Sequence, residues 1–494
     1  MTGRPPAVVL CADLAEGGVD LAAVRGSLAA RFPGVSVTVV PHLCRRPSAA
    51  AAAIRASGGG RAVVGACRRL SAAEVRPAAR SASASPYDVA VVRVPRTRGT
   101  AAAATTVAAA LERLLRQPDH EPARRIATTA GLSRGALLRL SPVVSHQPVA
   151  VVDSGECAGF ARCGACAAAC PADAIVPGDG AARILADDCD ACGRCLPACP
   201  TGAIHLAGAS PAQLAAELAT LAGGAALGIV FACTSALAAL DDESVLDGWG
   251  LVEVPALRII SPGSVAQAVL AGAARVCLCP CDGDCCEQWR APSAALDLCR
   301  RMLGAGEQAR VLVSPAPPPA AALETVTVPP PRLRPCLSEP EATVAAVAAL
   351  DAPSVPEHPA SPLGLVDVGA GCTACGACAV ACPAGALTLD EDARASVLRF
   401  DARRCTGCGL CVTACPEDVV TVVRGVDPTR LAAGPVEIRS VEARRCRGCG
   451  DRLPAAHVVE RARSLLAAQR PELAGSDPDL CLACACRAPA RRFA

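Results

Sequence analysis

The chemistry in this sequence is carried by thiols: 32 of its 494 residues are Cys, and most stand in short regular clusters. One stretch reads Cys372-x2-Cys375-x2-Cys378-x3-Cys382-Pro383, then Cys405-x2-Cys408-x2-Cys411-x3-Cys415-Pro416. Three thiolates two residues apart wrap a tight loop round one face of an iron–sulfur cubane. The fourth, after a longer step, points away to a second cubane. The spacing therefore assigns Cys372, Cys375, Cys378 and Cys415 to one [4Fe-4S] cluster, and Cys405, Cys408, Cys411 and Cys382 to its partner. Two complete units in one segment leave little room for a zinc or disulfide framework. Between them, Ala386 to Phe400 reads as a β-hairpin around Asp390-Glu391-Asp392.

This is the bacterial two-cluster ferredoxin pattern, and it occurs twice, about 215 residues apart. In the earlier copy Cys189-x2-Cys192-x2-Cys195-x3-Cys199-Pro200 is complete. Its mate, Cys157-x5-Cys163-x2-Cys166-x3-Cys170-Pro171, has a longer first step, with Phe160 where a Cys would stand. Gly155 and Gly159 allow that loop to bulge, so Cys157, Cys163, Cys166 and Cys199 are assigned to one cluster. Cys189, Cys192, Cys195 and Cys170 are assigned to the other, giving four [4Fe-4S] clusters in the chain.

The elements that position these motifs divide the chain. Residues 1–96 alternate apolar runs (7–11, 35–40, 62–67, 88–94) with Ala-rich helical stretches (20–31, 47–56, 71–80), the signature of a parallel α/β domain. Residues 97–145 read as a helical connector broken at Gln117-Pro118, and 146–208 as the first ferredoxin domain. Residues 209–315 alternate again, with strands at 228–233, 251–254, 275–279 and 310–314. The Pro-rich composition of 316–362 predicts a semi-rigid linker. The second ferredoxin domain follows at 363–427, and a cysteine knuckle at 428–494. The expected fold class is thus multidomain, α/β plus α+β: two parallel α/β domains, two ferredoxin-like domains and a small four-cysteine domain.

In the last segment Cys446-x2-Cys449 and Cys481-x2-Cys484 are separated by 31 residues with an amphipathic helix, Ala455 to Ala468. Two such knuckles are the usual all-cysteine zinc arrangement. Zinc is preferred there over a further iron–sulfur centre, which Cys486 would help complete. His457 reads as a solvated helix residue, and Cys299 and Cys336 as incidental.

Cys11, Cys44 and Cys67 each fall at or just past the C-terminal end of an expected strand, the edge where open α/β sheets bind ligands. The three thiols could converge there on a ligand, with small buried apolar residues as the alternative reading. With Val63-Val64-Gly65-Ala66-Cys67 and the helix Ala101 to Arg116, the segment resembles the N-terminal region of the flavin-carrying subunit of heterodisulfide reductases. That family usually adds a fourth Cys after an Arg-Glu pair, where this chain has Arg93-Val94-Pro95-Arg96. The middle segment resembles the delta iron–sulfur subunit of methyl-viologen-reducing hydrogenase. The resemblance lies in Phe231-Ala232-Cys233, in 254–263, and in 270–276 leading into Cys281-x3-Cys285. Ala236 and Ser261 replace two family Cys positions, while Cys277, Cys279 and Cys286 are extra. The resemblance implies a [2Fe-2S] cluster involving Cys233, Cys281 and Cys285, with a domain kept only for docking as the competing reading.

Composition excludes other classes. The 48 basic residues, all Arg, nearly balance 46 acidic ones, and there are only eight aromatics (Phe 5, Trp 2, Tyr 1). Neither a basic stripe nor stacking platforms for nucleic acid follow from that. Asp13 and Glu16 come too early for a secretory signal. Leu218 to Leu240 is uncharged but split by Gly223-Gly224, and reads as a helix end, a turn and a buried strand. A cytoplasmic protein with reduced thiols and no membrane span is expected. No Gly-x-Gly-x-x-Gly turn follows a strand, so no flavin domain is expected.

The resulting expectation is a multi-cluster electron-transfer subunit, relaying single electrons between redox partners through four [4Fe-4S] clusters. Partners implied by the resemblances are a flavoprotein, a hydrogenase, a formate dehydrogenase or heterodisulfide-reductase-like subunits. The alternative is a catalytic subunit of such a complex, acting on a disulfide through the Cys277–Cys286 group. Whether the chain itself catalyses stays open, with no catalytic residue assigned.

Overall fold

Strands covered on both faces are apolar throughout, without the alternation of a half-solvated strand. Ala7–Cys11 and Ala62–Ala66 are of this kind, and in the computed structural model every residue of both is buried. The structure describes residues 5–57, 60–67, 75, 88–94, 96, 98–117, 124–127, 145–206, 208–224, 226–240, 243–289, 293–304, 308–320, 323, 338–392, 394–453, 479–481 and 483–484. They form two compact units, Met1–Pro353 and Ser354–Ala494.

The first unit opens with β1 (Ala7–Cys11), β2 (Ser36–Val40), β3 (Ala62–Ala66) and β4 (Val89–Arg93), all parallel, in the order β2-β1-β3-β4. The helix Leu21–Arg31 crosses over after Asp20, whose carboxylate accepts the N–H groups of Ala22 and Ala23. Of the helix expected over 71–80, all but Val75 lies outside the described residues. The helix Gly99–Leu115 stops two residues before Gln117-Pro118, and beyond it the described residues 124–127 and 145 are extended. β5 (Arg124–Ala127) pairs antiparallel with β6 (Ser145–Pro148). Pro118 cannot continue a helix, and an extended partner supplies the ladder hydrogen bonds that the segment then needs.

Next comes the first cysteine repeat: β7 (Ala150–Val152), β8 (Ile175–Pro177), β9 (Ala182–Ile184) and β10 (Ile204–Leu206). β7 pairs with β10 and β8 with β9, both antiparallel, around the short helices Ala165–Ala168 and Cys195–Ala198.

The middle domain carries β11 (Gly228–Cys233), β12 (Trp249–Val254), β13 (Arg275–Cys279) and β14 (Val311–Val313), parallel, in the order β12-β11-β13-β14. It therefore repeats the strand order of the first sheet. The stretch 218–240 resolves into the end of helix Pro211–Ala222, a turn and β11. Among the described residues no helix is long and apolar enough to cross a membrane. The two α/β domains meet helix to helix, where Arg113 pairs with Glu217 at 2.7 Å and its Nε donates to Gly208 O at 2.6 Å.

The Pro-rich stretch 316–362 departs from the expected linker. The helix Glu339–Leu350, started by a Ser338/Glu341 capping box, buries Thr343 and Ala346 completely. It lies against helix Pro262–Leu270, whose Gln267 side chain donates to Ala342 O at 3.1 Å. Trp249 Nε1 donates to Pro318 O at 2.9 Å. Ala and Val at helical spacing supply a packing face that Pro content alone conceals.

The second unit repeats the plan of the first cysteine repeat with longer strands. β15 (Gly364–Val368), β16 (Leu387–Glu391), β17 (Ala395–Asp401) and β18 (Val420–Arg424) follow in order, and β15 pairs with β18. The β16–β17 hairpin falls where the sequence expects one, in the register Leu387↔Phe400, and β19 (Pro435–Glu442) extends it. β20 (Arg444–Arg445) and β21 (Arg452–Leu453) form a small hairpin at the last knuckle.

Candidate iron–sulfur centres

The four Cys-Pro steps share one local device. Three residues past the cysteine stand Asp173, Gly202, Gly385 and Asp418, with φ of 49°, 69°, 60° and 52°. The left-handed region is reached cheaply by Gly and more readily by Asp than by bulkier residues. In each case its N–H turns back to the cysteine carbonyl at 3.4 Å. The next amide then faces the sulfur: Ala174 N–H donates to Cys170 Sγ at 3.4 Å and Ala386 N–H to Cys382 Sγ at 3.2 Å. Such donors stabilise a thiolate and tune whatever it ligates.

In the second unit the thiols line two cavities. One is lined by Cys372, Cys375, Cys378 and Cys415. The other is lined by Cys382, Cys405, Cys408 and Cys411. These are the two groups of four that the spacing predicts. Burial, then the neighbouring Cys372, Cys375 and Cys411, push the Cys378 thiol up to about 12. Burial, then Cys382, Cys411 and Cys408, push Cys405 up to about 12 against a backbone donor at Gly407. Thiols crowded together and partly buried ionise together only with a cationic partner, which iron would supply. A cavity ringed by four thiols with amides aimed at sulfur is the fit that a cubane requires.

In the first repeat Cys157, Cys166, Cys170, Cys189, Cys195 and Cys199 share one small core. The charges felt by Cys166, after burial, are those of Cys199 and Cys163. Those felt by Cys195, pushed up to about 12 first by burial, are Cys189, Cys192 and Cys170. Cys199 is thus a neighbour of Cys166, and Cys170 a neighbour of Cys195. In the long loop, Gly159 takes φ 95° with its carbonyl accepting from Cys163 N–H at 3.1 Å, and Phe160 packs into the core.

The middle domain brings together Cys233, Cys281 and Cys286: Cys286 Sγ lies 3.4 Å from Cys233 and 3.6 Å from Cys281. The side chain of Cys285 lies outside the described residues. A two-iron cluster needs two pairs of sulfurs roughly 6 Å apart across it. The three described sulfurs of Cys233, Cys281 and Cys286 lie within 4.8 Å of one another and form a single corner. The signal for Cys286 was its place in the Cys285-Cys286 pair. Cys277 and Cys279 stand side by side in β13 at 3.8 Å, buried in the core. Cys299 is buried too, its Sγ 3.8 Å from Pro262 O. Ser261 bonds the carboxylate of Glu339.

At the C-terminus Cys446, Cys449, Cys481 and Cys484 gather, with all four sulfurs within 4.8 Å of one another. Cys446 Sγ accepts N–H groups from Gly448 at 3.3 Å and Cys481 at 3.2 Å. The Cys481 amide above all holds its thiol down at about 6. A Cβ at Gly448 would lie 2.9 Å from Cys484 Sγ, so the knuckles close on each other. His457, Cys486, Cys336 and the helix expected over 455–468 lie outside the described residues.

Comparison with known families agrees with this geometry. Residues 371–419 match a 4Fe-4S dicluster domain, and 397–452 match a second 4Fe-4S dicluster domain model that runs on through Cys446 and Cys449. Residues 161–210 match the LdpA Fe-S cluster-binding domain, beginning four residues after Cys157. No curated protein matches the chain. The chain is an iron–sulfur protein with repeated cluster-binding domains, ferredoxin-like where the dicluster models match, and its chemistry is electron transfer with protein redox partners.

Proposed function

We propose that the chain is a non-catalytic, cytoplasmic electron-transfer subunit of an oxidoreductase complex, holding four [4Fe-4S] clusters. The observation that carries this reading is the pair of four-thiol cavities in the second unit. Bound cubanes would supply one-electron acceptance and release. The chain's own part is to ligate through Cys372, Cys375, Cys378 and Cys415, and through Cys405, Cys408, Cys411 and Cys382. In the first repeat the ligands are Cys157, Cys163, Cys166 and Cys199, and Cys189, Cys192, Cys195 and Cys170. Amides such as Ala386 N–H stabilise the thiolates, and Ala-rich packing excludes water.

The partners are a flavoprotein, hydrogenase, formate dehydrogenase or heterodisulfide-reductase-like subunits, as the cysteine positions of the two α/β domains suggest. The packing of Ile259 on the first repeat's core supports a relay across the first unit. Ile259 lies next to Ile260, whose carbonyl accepts Trp289 Nε1–H at 2.9 Å, near Cys286. Cys446, Cys449, Cys481 and Cys484 hold one zinc ion: a Zn–S bond of about 2.3 Å puts tetrahedral sulfurs roughly 3.8 Å apart. The Cys449–Cys481 separation is 3.5 Å.

Iron and sulfide analysis of the anaerobically reconstituted chain tests the reading. About 16 iron atoms are expected from four cubanes. Eight or fewer would remove one repeat from the relay.

A further inference from the structure

Three thiols and a carboxylate close the C-terminal edge of the first sheet, and the ferredoxin chemistry uses none of them. Cys11 ends β1, Cys44 lies in the turn after β2, Cys67 follows β3, and Asp13 stands two residues beyond β1. The sulfur separations are 3.1 Å for Cys44–Cys67, 3.8 Å for Cys11–Cys44 and 3.7 Å for Cys11–Cys67. Asp13 Oδ2 is 3.8 Å from Cys44 Sγ, and the four ligand atoms all lie within 4.8 Å of one another.

We propose that Cys11, Cys44, Cys67 and Asp13 hold a single divalent ion of the zinc class in place of an iron–sulfur cluster. A cubane holds its cysteine sulfurs roughly 6 Å apart, far wider than this group. A tetrahedral zinc thiolate site has edges of about 3.8 Å, which two of the three sulfur pairs match. The fourth ligand is ready-made. The other oxygen of Asp13 accepts the His42 backbone N–H at 3.2 Å, and His42 Nδ1 lies 3.1 Å from it and 3.3 Å from Oδ2. Ligating carboxylates are commonly oriented by such an outer partner. His42 reaches it from a left-handed conformation, φ 52°, in the turn that also returns Cys44 to the sheet edge. Cys11 and Cys67 are buried and the Asp13 side chain is only 12% exposed, so four protein ligands enclose the position, as in structural zinc sites. Such an ion would clip together the ends of β1, β2 and β3.

The test uses the full chain with Cys446→Ser and Cys449→Ser, which removes the C-terminal zinc position. After equilibration with zinc and dialysis, one zinc per chain is expected beyond the iron content. Adding Cys44→Ser should abolish that zinc while leaving iron unchanged, the unchanged iron showing that the chain has folded. His42→Ala, which keeps all four ligands, should weaken zinc about tenfold in competition with a chromophoric chelator. Loss of about four iron atoms with Cys44→Ser would identify a cluster and overturn the proposal. So would absence of zinc from the parent chain, or a Cys44–Cys67 disulfide found by mass spectrometry in anaerobically purified protein.

Discussion

Cys382 shares a cavity with Cys405, 23 positions later in sequence, while Cys378, one helical turn before it, lines the other cavity. The helix Ala377–Ala381 carries Cys378 in its first turn and is capped by Cys382, so it begins at one cavity and ends at the other. Leu410–Thr413 does the same in the opposite sense, from Cys411 to Cys415. With a cubane in each cavity, as proposed, each site depends on both halves of the fold.

Cys382→Ser should therefore damage the cluster of Cys405, Cys408 and Cys411 and spare that of Cys372, Cys375 and Cys378. Cys415→Ser should do the reverse. EPR of the reduced variants separates the two outcomes. Loss of the cluster held by each residue's own chain neighbours would mean four sequential ligands and would break the fold assignment.

A second expectation concerns close approach. A Cβ at Gly364 would stand 2.6 Å from the Gly407 backbone and 2.8 Å from Cys405 Sγ. Backbone cannot yield as a flexible side chain can, so Gly364→Ala must shift either β15 or the ligand loop. We expect a destabilisation of about 1–3 kcal/mol and faster loss of the Cys405-side cluster in chelator challenge. Gly369→Ala, where the nearest atom is at 3.5 Å, is the control. Equal cluster lifetimes for both variants would refute the account.

The sequence made some of this legible and hid the rest. Ligand spacing is local, so the eight cysteines of 372–415 could be sorted into their two cavities without coordinates. Both parallel sheets were legible because buried strands announce themselves as apolar runs. Convergence over long separations was not. That Cys286 turns toward Cys233 depends on how a short helical turn, Asp284–Trp289, is rotated. The carboxylate of Asp13 joins three thiols because of a turn at His42, which no spacing rule encodes. Helix Glu339–Leu350 was masked by the prolines around it.

The contact between the two α/β domains gives a third prediction. Burial pushes the Glu217 carboxyl up, and the Arg113 charge, 2.7 Å away, pulls it back. Arg113→Ala leaves a buried acid without its partner and should cost about 3–5 kcal/mol. Arg113→Met with Glu217→Leu, which removes both charges, should cost little. Urea unfolding of the three proteins checks this. A double variant as unstable as Arg113→Ala would show that lost packing dominates over the stranded charge.

The last prediction is a pH dependence. Glu339 is half-buried against the start of helix Pro262–Leu270, where burial raises its pKa to about 8 although Gly263 N–H and Thr343 hydroxyl bonds lower it. Its ordinary value is 4.5, so the folded chain holds this proton more tightly than the unfolded one. The stabilisation is fully present below about pH 4.5 and is lost as pH rises through about 8. Cys299, close by, is held far above its ordinary value by burial and stays a neutral thiol across that window. Glu339→Gln keeps the shape and removes the titration. Its stability should fall less steeply than the parent's between pH 4.5 and 8. The chain's two tryptophans, Trp249 and Trp289, are both fully buried in the same middle domain. Their fluorescence in urea at each pH reports this core directly. Parallel pH profiles for parent and variant would mean that Glu339 is ionised in the fold, held by its three hydrogen-bonding neighbours against the cost of burial.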